Sequence, residues 1–157
     1  MKIIIKIICF IAMICMLLSL SACGDKKSIS ADEFIKKMKD NSYKTNDISD
    51  QYSDNSEIKS VVLGFNDDYQ IEFYEYTSKS MASASFEKNR EIFKDEEGSS
   101  VVKNSVEMGN HGFYESTTNG NYSCVSYIDN TMLFVKSSKE NKKEIKSIIK
   151  KLGYNML

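Results

Sequence analysis

Proline and tryptophan are absent from this chain of 157 residues, arginine occurs once, at Arg90, and histidine once, at His111. Without proline, the turn signals that remain are Gly, Asn, Asp and Ser. A lone histidine cannot supply the ligands that a closed zinc site needs. Cysteine is equally sparse. Cys9 and Cys15 fall in the apolar N-terminal stretch, Cys23 follows it, and Cys124 stands alone in the remainder. An intramolecular disulfide is therefore excluded from the part beyond Cys23, and core packing must hold it together. An excess of charge of either sign is also missing. From Cys23 onward 19 Lys+Arg stand against 22 Asp+Glu, a net charge of −3, which points away from nucleic acid.

What the chain does have is a long apolar start. Lys2 and Lys6 charge the N-terminus, Ile7 to Leu18 is uninterrupted apolar sequence, and the run softens into Ser19-Leu20-Ser21-Ala22. A charged start, an apolar stretch of this length and small residues at its end describe a secretory signal peptide. An uncleaved membrane span is the competing reading, but Lys6 leaves too short an apolar run for ~30 Å of hydrocarbon. Leu20-Ser21-Ala22-Cys23, followed by Gly24, resembles the lipobox of bacterial lipoprotein precursors. That resemblance implies cleavage between Ala22 and Cys23, and a thioether from the Cys23 sulfur to diacylglycerol, with fatty acyl chains such as palmitate as the anchor. The expected organisation is a signal peptide over 1–22, a lipidated tether over 23–30 and a single domain over 31–157. Eight extended residues reach at most ~28 Å, which keeps the domain near the headgroups. The expected location is the extracytoplasmic side of the cell membrane.

The domain itself is legible in outline. Ser30 and Glu33 form a capping box, with Ile29 and Phe34 placed for a hydrophobic staple, and a helix is expected from Ala31 to about Asp40. A polar connection over 44–57 follows, with Ile48 and Tyr52 as its apolar pins. Strands are expected over 61–65 and 69–76, a helix from Lys79 to Lys94 burying Met81, Ala82, Phe86, Ile92 and Phe93, and closure at Gly98. Four more strands are expected over 101–108, 113–118, 122–128 and 132–136, parted by Gly109-Asn110-His111-Gly112, Asn119-Gly120 and Asp129-Asn130. The final helix carries Ile145, Ile148, Ile149 and Leu152 at helical spacing, with a capping box at Ser137 and Glu140 and Gly153 as its C-terminal stop. The order α-ββ-α-ββββ-α predicts an α+β fold with a mainly antiparallel sheet and helices packed on one face.

Tyr69 to Tyr74, Ala82 to Phe93, Ile128 to Thr131 and Lys142 to Tyr154 together resemble the small uncharacterised lipoproteins of low-GC Gram-positive bacteria. The resemblance implies the same architecture and brings no site residues. Lysine-heavy, Asn- and Ile-rich usage is consistent with an AT-rich genome.

Five constellations are candidates for chemistry. Cys124 and His111 are the cysteine and histidine available for a nucleophile and base, but a lone strand cysteine reads more readily as a buried hydrophobe. Asp47, Asp50, Asp54 and Glu57 are acidic, yet they lack the register and central glycine of a calcium loop. Asn121-Tyr122-Ser123 matches a glycosylation sequon that means little behind a bacterial lipobox. Lys139, Lys142, Lys143, Lys146, Lys150 and Lys151 stud the last helix, either as a solvated face or as a contact with anionic headgroups. Tyr74, Tyr76, Tyr114 and Tyr127 are expected to form an aromatic binding surface on the sheet face that the helices leave open. No catalytic set, metal site or cofactor beyond the covalent diacylglycerol is expected. The leading expectation is a non-catalytic binding or accessory module of the envelope, with an envelope protein or small ligand as partner and no nucleic acid. An enzyme with a dispersed active site and a purely structural protein are the alternatives.

Overall fold

The computed structural model describes residues 25–96 and 101–156. Ala22, Cys23 and the expected stop at Gly98 lie outside the described residues. The expected α+β class is present: the described residues form a seven-stranded, wholly antiparallel sheet with three α-helices. Helix α1 spans Ala31–Asp40, where Ser30 caps it by accepting a hydrogen bond from the Glu33 amide at 3.2 Å. Ile29 and Phe34 both enter the same core cluster, as a staple requires.

Strand β1, Lys44–Asp47, lies inside the stretch expected as a polar connection. It pairs with β2, Ile58–Phe65, although its own residues are polar and mostly exposed. Backbone pairing at a sheet edge requires little apolar side-chain content, so alternation cannot announce such a strand. A 3₁₀ turn at Ser49–Tyr52 fills the rest of the connection. Strands β3, Gln70–Tyr76, and β4 to β7, at Val102–Met108, His111–Thr118, Asn121–Ile128 and Thr131–Ser138, follow the expected succession. The spatial order is β1-β2-β3-β7-β6-β5-β4. The chain builds one end of the sheet, crosses it on helix α2, Lys79–Asp95, and returns by a meander that pairs β7 with β3. Asn119 and Gly120 both take positive φ, 49° and 81°, as a tight hairpin demands.

That crossing explains one correction. The helices do not share one face of the sheet. Helices α1 and α3, Lys142–Leu152, pack on one side through Phe34, Met38, Ile145, Ile148, Ile149 and Leu152. Helix α2 packs on the other through Ala82, Phe86 and Phe93, against Tyr114, Val125, Tyr127 and Met132. A helix leaving the middle of a sheet to feed its far edge must travel over a face, and here it takes the face opposite α1 and α3. Ile92, expected inside, is 44% exposed. The capping of α3 also differs. Ser138, not Ser137, accepts from the Glu140 amide and caps a short 3₁₀ turn at Lys139–Asn141 that precedes the helix. Gly153 does end α3, at φ 91°.

Both clusters are built from residues between Ile29 and Tyr154, with Met156 packed at the margin. The chain from Asp25 onward thus carries the described core complete. No helix among the described residues is long and apolar enough to cross a membrane.

Candidate functional site

Glu115 lies in the middle of β5, where alternation points it toward the α1/α3 face, and it is 1% exposed. Burying a carboxylate is costly unless its lone pairs are taken. Here three donors take them. Lys146 Nζ on α3 and Asn104 Nδ2 on β4 donate to Oε1 at 2.8 and 2.7 Å, and the Tyr122 hydroxyl on β6 donates to Oε2 at 2.8 Å. Burial pushes the Glu115 carboxyl upward, but these donors outweigh it and hold the group below its ordinary range. The Tyr122 hydroxyl is pushed strongly up, chiefly by burial and then by the neighbouring thiol and carboxylate. Lys142 adds a second cation above this network, 5.4 Å from the Tyr122 ring centroid and 2.9 Å from Thr117 Oγ1. A carboxylate whose two oxygens are both occupied is held, not poised, and its most direct contribution is to fix α3 to the sheet.

A cleft of about 390 Å³ opens beside this network. Its sheet side is Phe113, Glu115 and Tyr122, its helix side is Lys143, Lys146 and Lys150, and Asn155 and Met156 from the C-terminal segment also line it. Lys146 is committed to Glu115. Lys143 and Lys150 are exposed and have no side-chain partner among the described residues. That C-terminal segment is itself anchored: Tyr154 is buried, its hydroxyl meets Thr131 Oγ1, and the Ser126 hydroxyl donates to its carbonyl at 3.0 Å. Burial raises the Tyr154 phenol to about 12.

The chain just after Cys23 docks beside the same cleft. The Lys26 amide donates to Asn110 Oδ1 at 3.0 Å, and Asn110 Nδ2 returns a bond to the Lys26 carbonyl at 2.7 Å. The Lys26 ammonium reaches the carbonyls of Asn155 and Met156. Within the segment expected as a tether, Lys26 is bound to the domain and Ile29 is part of the core. Neither Asn110 nor the C-terminal carbonyls carry a local signal in the sequence, because both act only through the tertiary fold.

The expected tyrosine surface is largely covered. Tyr76, Tyr114 and Tyr127 are 6%, 1% and 6% exposed, beneath or beside α2. Tyr74 is half-buried and lines a second cleft of about 400 Å³ together with Glu72, Lys88 and Asn89. Its hydroxyl donates to Glu72 Oε2 at 2.5 Å, and its ring stacks on Tyr76 with centroids 6.1 Å apart.

Cys124 and His111 are not brought together. Cys124 sits opposite Glu115 and His111 opposite Ile128, so four positions of one strand, about 13 Å, part them. Cys124 is 1% exposed, and burial pushes its thiol well up. His111 is buried, with Nδ1 unpartnered among the described residues; burial, with the nearby Lys26 charge, pushes its pKa down. In the acidic loop, Asp47 Oδ1 accepts from the Ser49 amide at 2.9 Å and from its hydroxyl, a local turn. No group of three or more metal-ligating side chains converges among the described residues.

No protein-family model matches this chain, and no curated protein matches it. Among solved structures, the crystal structure of a GTP-binding regulator from Thermotoga maritima is similar at a TM-score of 0.41 and 17% identity, over 76% of this chain and 84% of that one. A likeness of that size carries no argument about activity.

Proposed function

We propose that this protein is a membrane-anchored lipoprotein of the extracytoplasmic side, held by diacylglycerol on Cys23, whose domain is a binding or accessory module of the envelope. The leader, the small residues before Ala22 and the cysteine supply the motif. The structural observation that supports the reading is the docking of Lys26 on Asn110, Asn155 and Met156. Three residues from Cys23 to Lys26 span at most about 11 Å. A lipid on Cys23 would therefore hold one chosen end of the domain, the β4–β5 turn and the C-terminal segment, against the headgroups. Two acyl chains suffice for stable attachment where one does not.

Mass spectrometry of the protein purified from membranes tests the anchor. The expected mature chain begins at Cys23 and carries lipid mass, while Cys23→Ala accumulates as unprocessed, unacylated precursor. A mature chain starting elsewhere, or starting at Cys23 without lipid, refutes the proposal.

A further inference from the structure

We infer that the cleft between α3 and strands β5 and β6 receives the headgroup of an anionic phospholipid, so that the domain grips the bilayer at a second point beside its own anchor. Three observations converge on that occupant. The helix side of the cleft presents three ammonium groups, and among the described residues its lining holds one carboxylate, Glu115, whose charge Lys146 offsets and whose oxygens also accept from Asn104 and Tyr122. Lys143 and Lys150 remain unpaired, so the cleft offers positive charge with nothing among the described residues to balance it. That is local, because the chain from Cys23 onward has a net charge of −3 and would otherwise be repelled by an anionic surface.

Apolar surface lies beside the charge. Phe113, Ile149 and Met156 line the cleft with the lysine stems, which suits a phosphate whose neighbouring glycerol and upper acyl carbons need cover. A freely diffusing inorganic anion would have no use for that lining.

Position supplies the third observation, and it rests on the proposed anchor. Lys26 bonds the carbonyls of Asn155 and Met156, residues that line this cleft. With Cys23 no more than about 11 Å from Lys26, a bilayer holding the anchor meets the cleft directly. The interfacial layer on each side of the hydrocarbon is itself roughly 5–7 Å thick. Lys143 and Lys150 are two helical turns apart, about 10 Å along the axis, so a lipid phosphate between them can engage both.

The test separates this inference from the anchor, because it uses the chain from Asp25 to Leu157, which lacks Cys23 and retains the described core. The domain is sedimented with phosphatidylglycerol–phosphatidylcholine vesicles and with phosphatidylcholine vesicles alone, at low salt. Binding to the mixed vesicles only is expected, reversed by salt. Removing Lys143 and Lys150 together by substitution to Gln should weaken it about 30-fold, as two juxtamembrane lysines do. The charge-matched variant Lys36→Gln/Lys39→Gln, on α1, should bind nearly as well as the parent. Absence of binding at low salt, an equal loss in both double variants, or no loss in Lys143→Gln/Lys150→Gln overturns the inference. Competition by inorganic phosphate at concentrations that leave ionic strength unchanged would reassign the cleft to a free anion and overturn the lipid. The lipid mass on Cys23 is read on the full chain and is independent of every one of these outcomes.

Discussion

Substituting Glu115 tests whether the buried network holds α3 to the sheet. In Glu115→Ala the Tyr122 hydroxyl, in a ring that is 0% exposed, loses its acceptor. A buried donor left unsatisfied costs about 1–3 kcal/mol. Breaking a buried ion pair by deleting one partner costs about 3–5 kcal/mol when the other charge stays buried. The Lys146 side chain is 48% exposed and can turn to water, so only part of that cost is incurred. The expected loss is about 2–4 kcal/mol by urea unfolding, or about 8–16 °C in Tm for a domain of this size. Glu115→Gln should lose less, since an amide oxygen still accepts one bond and its NH₂ can donate to the tyrosine.

The carboxylate also predicts a pH dependence. Its folded-state pKa is depressed, so the stability it contributes is present above the unfolded carboxylate value, about 4.3. It is lost as pH falls through the lower, folded value. The stability gap between the parent and Glu115→Gln should therefore be constant near neutrality and close progressively below about pH 4.3. Equal unfolding midpoints for the parent and Glu115→Ala at pH 7 would refute the reasoning. So would a gap that is unchanged in acid.

Four further substitutions probe the packing and the surface. Ile148→Ala, at a site 3% exposed within the α1/α3 cluster, should cost about 2–5 kcal/mol by the same unfolding measurement. Lys142→Gln should cost about 0.5–1 kcal/mol, because its ammonium lies over the Tyr122 ring, whereas exposed Lys143→Gln should cost almost nothing. Gly112→Ala would place a Cβ 2.5 Å from Tyr127 Cε1 and 3.1 Å from Phe86 Cε1, so the Tyr127 ring and the Phe86 ring of α2 must shift, at about 1–3 kcal/mol. The Cys124 thiol, buried and raised in pKa, should resist a thiol reagent in the native state and react fully in urea, and reductant should leave Tm unchanged. Fast native labelling would show that the strand is open.

Short-range patterns were enough for the elements whose signals are local. Ser30 and Glu33 announce the start of α1 because a cap is made within one turn, and Gly153 announces the end of α3 because only a glycine takes that backbone angle without strain. The isoleucine stripe of α3 specifies its buried face for the same reason, since helical spacing repeats every few residues. The leader and Cys23 are likewise contiguous, so the expectation of an anchor needs no tertiary information. Strand β1 was illegible because a polar edge strand is held by backbone bonds that its side chains do not advertise. Which face each helix covers was decided only by the path of α2 across the sheet, and that path buried Tyr76, Tyr114 and Tyr127, which alternation alone left open to solvent. The cleft network is the extreme case. Glu115, Tyr122, Asn104 and Lys146 come from three strands and a helix, and Lys26 reaches Asn155 across 129 positions of chain. A period of two or of 3.6 reports what one element presents to its neighbours, but only closure of the whole sheet determines which neighbours those are.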